Sequence, residues 1–288
     1  MIDDVVSIFN ANRITAALCH PRAASRSLVP YNLPNSGLGG CGMAIGNDSE
    51  AAPVKDLFQQ PRPLDRSLHK ALAIDRQAGF GFARRHIAVP ITLGEFAAAA
   101  RDYPIVFAVD SAQPFVLLGL QQGHNLLVDE AGRWRKGRYV PAHLRRYPFI
   151  FMETPERQFV LCIDEAAEHF AGSGQREPLF VDGNPSPLVG DAMKFLAAFQ
   201  SEFTATREFG AALAERGLLI DRQAHIELPG APRFSLTGFR ILDEERLAAV
   251  EDAAFLDWRR RGWLAPVYFH LQSLGNFGLL TEWAGEGK

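Results

Sequence analysis

Tyr139-Val-Pro-Ala-His-Leu-Arg-Arg-Tyr-Pro-Phe149 is a basic, aromatic segment bounded by prolines, and it lies between two runs that read as β-strands, 125–129 and 159–163. A residue that precedes proline is biased out of the helical region, so any helix through 142–146 ends at Tyr147-Pro148. Adjacent side chains cannot both face a core, so Arg145 and Arg146 are expected to do different jobs. One turns inward, where its charge requires a carboxylate or backbone carbonyls. The other faces solvent and is available to a ligand. Arg145 is assigned inward, with Asp164 or Asp129 as its carboxylate.

Outward from this segment the chain reads as hairpins. Three apolar runs, 104–110, 114–120 and 125–129, follow one another across Ser111-Ala-Gln113 and Gln121-Gln-Gly-His124. That spacing leaves no room for crossover helices, so the strands pair antiparallel. Residues 85–91 form a further short strand, with Pro90 placing it at an edge or a strand end. Further hairpins are expected from 149–153 with 158–164, and from 223–228 with 233–241 around Pro229-Gly-Ala-Pro232.

Helices interleave with these hairpins. Thr92 caps a short one over 93–102, with Glu95 three residues on. A long helix opens at Ser186 with Pro187 in its first position. Leu188, Ala192, Phe195, Phe199 and Phe203 give it an apolar face that Phe209 and Leu213 continue, and Gly217 stops it. Asp243 caps a helix over 244–250, and 255–261 and 263–280 are helical in pattern. The fold class expected is α+β: a largely antiparallel sheet built from hairpins and covered by the C-terminal helices.

Of 288 residues, 47% are apolar and 22% charged, ordinary values for a globular chain with a sizeable core. Residues 1–60 differ, because Pro21, Pro30, Pro34 and Pro53 and the glycines from Gly37 to Gly46 interrupt any period. They read as a poorly structured leader before a domain over 61–288. Gly37-Leu-Gly-Gly-Cys-Gly42 matches a dinucleotide fingerprint, but no strand precedes it and no helix follows, so no cofactor is assigned. Cys19, Cys41 and Cys162 form no disulfide framework. No basic start leads into a long apolar run and no stretch is long and apolar enough to span a bilayer, so the location expected is cytoplasmic. A net charge of −3 gives no general attraction to nucleic acid, which is not expected as a partner.

Several constellations could carry chemistry. Arg133, Arg135, Lys136, Arg138, Arg145 and Arg146 interleave with Trp134, Tyr139 and Tyr147. Such a cluster either binds an anion or is a solvated hairpin whose arginine stems cover apolar surface, with Asp129 and Glu130 neutralising part of it. Glu165 and His169, four apart, read as a helix ion pair, since no third metal ligand accompanies them. Cys162 reads as a buried small hydrophobe. On a helix, Trp263, His270 and Ser273 share a face, where the imidazole could orient a ligand or serve as a base; a core histidine bonded to backbone is the competing reading. The ligand-binding set is therefore Arg145, Arg146, Tyr147, Trp263, His270 and Ser273, with no catalytic or metal set.

Tyr103-Pro-Ile-Val-Phe107, Asn125-Leu-Leu-Val-Asp129 with Trp134, and the opening segment resemble the bacterial SapC family. So do Leu161-Cys-Ile-Asp164, Glu177-Pro-Leu-Phe180 and Arg261-Gly-Trp-Leu264 leading into His270-Leu-Gln-Ser-Leu274. The resemblance runs in order from about Leu64 to Leu280. It implies a link to a locus of a paracrystalline bacterial surface layer, and to clusters that hold outer-membrane receptors and flavin-dependent halogenase-like proteins. It brings no agreed activity, cofactor or catalytic residue. The function expected is that of a non-catalytic accessory or binding protein of a surface-layer or uptake system, with a protein partner or a small anionic ligand. The alternative is an enzyme with a site around His270, Ser273, Trp263 and Arg145 or Tyr147.

Overall fold

The computed structural model describes residues 5–7, 57–155, 158–171, 175–226 and 234–286. The glycine fingerprint Gly37–Gly42, Cys19, Cys41 and nearly all of the leader lie outside the described residues.

The main sheet is organised on the strand Phe234–Leu242, which pairs antiparallel with Leu219–Ile226 and, through Phe239 and Arg240, with Ile105–Ala108. Ile105–Ala108 pairs antiparallel with Pro114–Leu117, and that strand with Ala88–Pro90 at the end of the sheet. Pro90 thus sits on an edge strand, where its missing N–H interrupts no ladder. Val5–Ser7 adds a parallel pairing to residues 235–237. The architecture is α+β with antiparallel hairpins, as the spacing of the apolar runs requires.

Two of the expected strand placements need correction. Residues 125–129 do not join the sheet, and Val128 forms only an isolated bridge with Trp134. Asn125 supplies the reason. Its wholly buried side chain donates to the Ala83 carbonyl at 3.0 Å and accepts from Leu127 N–H at 2.9 Å, which takes up backbone groups a ladder would have used. The hairpin Phe149–Glu153 with Phe159–Asp164 is present, but it forms a separate sheet with Pro61–Pro63 on its edge. Residues 57–60 belong with this small sheet: Leu57 is in the core, and the Gln59 and Gln60 N–H groups reach Asp164.

The helices start where their caps predict. Thr92 and Glu95 form a reciprocal capping box, opening one turn of 3₁₀ helix and then the helix Phe96–Ala99. Pro187–Glu215 begins after Ser186 and ends before Gly217, whose φ of 65° is the left-handed geometry glycine tolerates. Its buried face is offset from the phenylalanine stripe: Leu196, Phe199, Thr206, Phe209 and Leu213 are buried, while Phe195 and Phe203 are partly exposed. Asp243 caps Glu244–Ala248 by accepting from Glu245 and Arg246 N–H. The C-terminal run is three elements, Asp252–Arg261, Leu264–Ser273 and Phe277–Glu286, and Leu264–Ser273 packs on the main sheet. No described helix is long and apolar enough to cross a membrane.

Candidate functional site

Carboxylates hold the segment 139–149 in place. Glu95 is buried and accepts from Ala142 N–H at 2.6 Å, Tyr139 O–H at 3.0 Å, and the N–H and hydroxyl of Thr92. Asp102 accepts from Tyr139 N–H at 2.8 Å and pairs with Arg138 at 3.0 Å. The Tyr103 hydroxyl donates to the Tyr139 carbonyl. Burial, then the Glu95 charge, push the Tyr139 hydroxyl up to about 12. Asp164, wholly buried, accepts from the Tyr147 hydroxyl at 3.0 Å and from Gln59, Gln60 and Ala166 N–H groups at 2.8 to 3.2 Å. Each buried charge is therefore solvated by fixed dipoles.

The two arginines do differ, but in the opposite sense to the sequence expectation. The helix is only Ala142–Arg145, and Arg145 is the exposed one. It donates to the Val140 carbonyl at 3.0 Å and the Tyr139 hydroxyl at 3.2 Å, with Phe195 under its guanidinium. Arg146 turns inward between the faces of Phe58 and Phe199, at 5.2 and 4.9 Å. Burial lowers its pKa to about 10. Neither expected carboxylate serves it, since Asp164 is taken by backbone and Tyr147, and Asp129 pairs with Arg133. Arg146 donates instead to Nδ1 of His143 at 3.2 Å, and burial followed by the Arg146 charge holds that imidazole well below its ordinary pKa.

His270 and Ser273 come together, on backbone. Leu242 N–H donates to His270 Nε2 at 3.0 Å, which leaves Nδ1 to carry the proton and donate to the Ile105 carbonyl at 2.9 Å. Ser273 Oγ accepts from Ile105 N–H at 2.9 Å and donates to the His270 carbonyl at 2.6 Å. Both side chains are wholly buried. Desolvation drives the His270 pKa down to about 4, against the bond to Ile105, which raises it. Trp263 packs edge-on to Phe209 at 5.7 Å with Arg261 over its ring. His270 and Ser273 fasten the helix Leu264–Ser273 to two strands, Trp263 packs on the long helix, and none of the three lines a described cavity.

Arg133, Arg135 and Lys136 border a groove of about 720 Å³. Arg133 pairs with Asp129, Arg135 with Glu286 and Arg138 with Asp102, and Arg135 and Arg138 both lie over Trp283, at 4.8 and 5.0 Å. Most of this charge is answered within the chain.

A cavity of about 400 Å³ beside Tyr147 is chemically richer. Phe82 stacks on Tyr147 at 4.0 Å and forms an aromatic wall. His169 abuts both rings, at 5.7 and 5.2 Å. Its side chain is nine-tenths buried, and Nδ1 has no hydrogen-bond partner. Burial lowers its pKa despite the Glu168 and Asp75 charges, so the ring is neutral and offers one donor and one acceptor. Arg85, His86, Glu168 and Gln59 complete the polar lining. The expected Glu165–His169 pair is not formed. Glu165 pairs with Arg62 at 2.9 Å and with His69, and His169 lies on one turn of 3₁₀ helix, Glu168–Phe170, with its ring turned to the aromatics. Of the six residues singled out in sequence, only Tyr147 lines this cavity. Phe82 is not singled out in sequence, and Arg85 and His86 read there as the start of a strand over 85–91, whereas the strand is Ala88–Pro90 and both residues lie in the turn before it.

A family model described as SapC matches residues 64–280. No curated protein and no solved structure matches the chain.

Proposed function

This chain belongs to the SapC family, and on that premise we propose that it is a binding protein, a non-catalytic accessory of a bacterial surface-layer or uptake system, which holds a small anionic ligand in the cavity beside Tyr147. The observation that carries this reading is His169 Nδ1. A buried polar atom without a partner costs free energy unless something bonds to it. Here the imidazole that carries this atom lines a cavity that is also bordered by the exposed cation Arg85 and a stacked aromatic wall. Concave sites on which a few polar groups converge beside an aromatic wall are where small ligands bind. What favours binding over catalysis is how the other titratable groups are used. His270, Glu95 and Asp164 accept hydrogen bonds from backbone N–H groups and neighbouring side chains, and hold the scaffold.

Thermal denaturation of the full chain against a panel of small carboxylates and phosphates tests the reading. At least one should raise Tm in proportion to its concentration, and His169→Phe, which fills the ring position without its nitrogens, should abolish that rise. A panel with no hit, or one whose hits survive His169→Phe, refutes it. A pull-down from the native host tests the surface or uptake association.

A further inference from the structure

The cavity beside Tyr147 contains one feature that a simple anion site does not explain. Arg85 and Glu168 both line it and both are exposed, yet neither forms an ion pair, with the other or with any described residue. Opposite charges on one rim that stay more than an ion-pair distance apart leave room for a third body between them. A phosphate or dicarboxylate would meet Arg85 favourably and be repelled by Glu168. An amine would meet the reverse. A small molecule with a negative and a positive group a few bonds apart satisfies both.

Resting on the reading that this cavity binds a small ligand, and narrowing its anionic group to the carboxylate of a zwitterion, we propose that its ligand is a free α-amino acid, with its carboxylate at Arg85 and its ammonium at Glu168. A guanidinium fork matches a carboxylate, and a carboxylate accepts well from an ammonium. His169 Nδ1 supplies a further hydrogen bond, and the stacked Phe82–Tyr147 wall takes the side chain. At about 400 Å³ the cavity is at the small end of ligand pockets, which suits one residue better than a nucleotide or a peptide. Backbone packs closely beside the rim. A Cβ at Gly79 would overlap the Gly132 carbonyl oxygen, which accepts from Phe80 N–H at 2.6 Å, and one at Gly81 would lie 3.6 Å from Glu168 Oε2.

The test is calorimetric titration of the full chain with the common L-amino acids, and then, for any that binds, with its des-amino and descarboxy analogues. At least one amino acid should bind, and each analogue should bind about 10- to 100-fold more weakly, the loss of one charge-assisted bond. In Glu168→Gln the amino acid should bind no better than its des-amino analogue, and in Arg85→Gln no better than the amine. Both residues are exposed, so melting curves should show these variants folded. A des-amino carboxylate that binds as tightly as the amino acid overturns this inference and leaves the anion-binding reading standing. So does a carboxylate or phosphate that binds when no amino acid does. No binding by any probe overturns both. Binding that neither variant weakens overturns the placement of the ligand.

Discussion

His270→Leu removes two hydrogen bonds at once from the point where the helix Leu264–Ser273 meets the main sheet. Leucine fills a similar volume, so Leu242 N–H and the Ile105 carbonyl lose their partner without gaining water. Two stranded backbone groups at about 2 kcal/mol each give a cost of about 4 kcal/mol at neutral pH. Wild-type His270 has a folded pKa near 4 against an ordinary 6.5. Through the window from 6.5 down to about 4 the unfolded chain takes up a proton that the folded chain refuses. Stability from this residue is therefore complete above 6.5 and is lost as pH falls, by about 3 kcal/mol over the whole window at ~1.4 kcal/mol per pH unit. The variant lacks this titration, and the other carboxylates and histidines cancel in the comparison. Urea unfolding followed by tryptophan fluorescence should show a wild-type-to-variant gap of about 4 kcal/mol at pH 7, shrinking to about 2 kcal/mol near pH 5. A gap under about 1 kcal/mol at neutral pH, or one that does not move with pH, would refute the assignment of His270 as a neutral, backbone-bonded core residue.

Asp164→Asn replaces an acceptor of four donors by an amide that can accept at one atom only; it should cost about 3 kcal/mol in urea unfolding and expose residues 57–60 to limited proteolysis. Gly210→Ala drives a Cβ into the Ala112 carbonyl oxygen, and the strain should outweigh the ~1 kcal/mol gain in helix propensity, for a net loss of about 2 kcal/mol in a thermal melt. Arg145→Ala should change stability by less than about 1 kcal/mol, because both of its hydrogen bonds are at the surface. Arg146→Ala should cost about 2 kcal/mol through lost packing between Phe58 and Phe199, whereas Arg146→Met, which keeps the stem and removes a buried charge, should come within about 1 kcal/mol of wild type; equal effects of the two alanine variants would contradict the inward placement of Arg146.

Features set by neighbours in sequence were legible. The Thr92–Glu95 capping box, Ser186 with Pro187, the Asp243 cap and the stop at Gly217 each involve groups a few residues apart, so residue type and spacing suffice to place them. The α+β class followed from the same kind of information, as runs too close for crossovers can only pair antiparallel. Failures began where a distant element sets the choice. Ala142, His143 and Leu144 are all buried, so a helix of four residues shows no apolar period from which to choose between Arg145 and Arg146. The choice is made by Phe195 and Phe199 on the long helix, one turn apart, each under one guanidinium.

The cavity was illegible for a related reason. Its walls come from residues 57–59, 78–86, 147 and 166–169, brought together when Pro61–Pro63 pairs with Phe159–Asp164. Asp164 shows what a one-letter sequence withholds. The sequence reading offers it, with Asp129, as the carboxylate for an inward Arg145. The groups that solvate it are three backbone N–H donors and the Tyr147 hydroxyl. Backbone donors occur at every position except proline, so no residue type announces them. A buried charge in sequence thus predicts that donors converge on it, and leaves open whether they are side chains. Where they are backbone, the nearby arginine is released from pairing. Arg145 then stays at the surface, and Arg146 can be buried against two phenylalanines with a neutral imidazole as its acceptor.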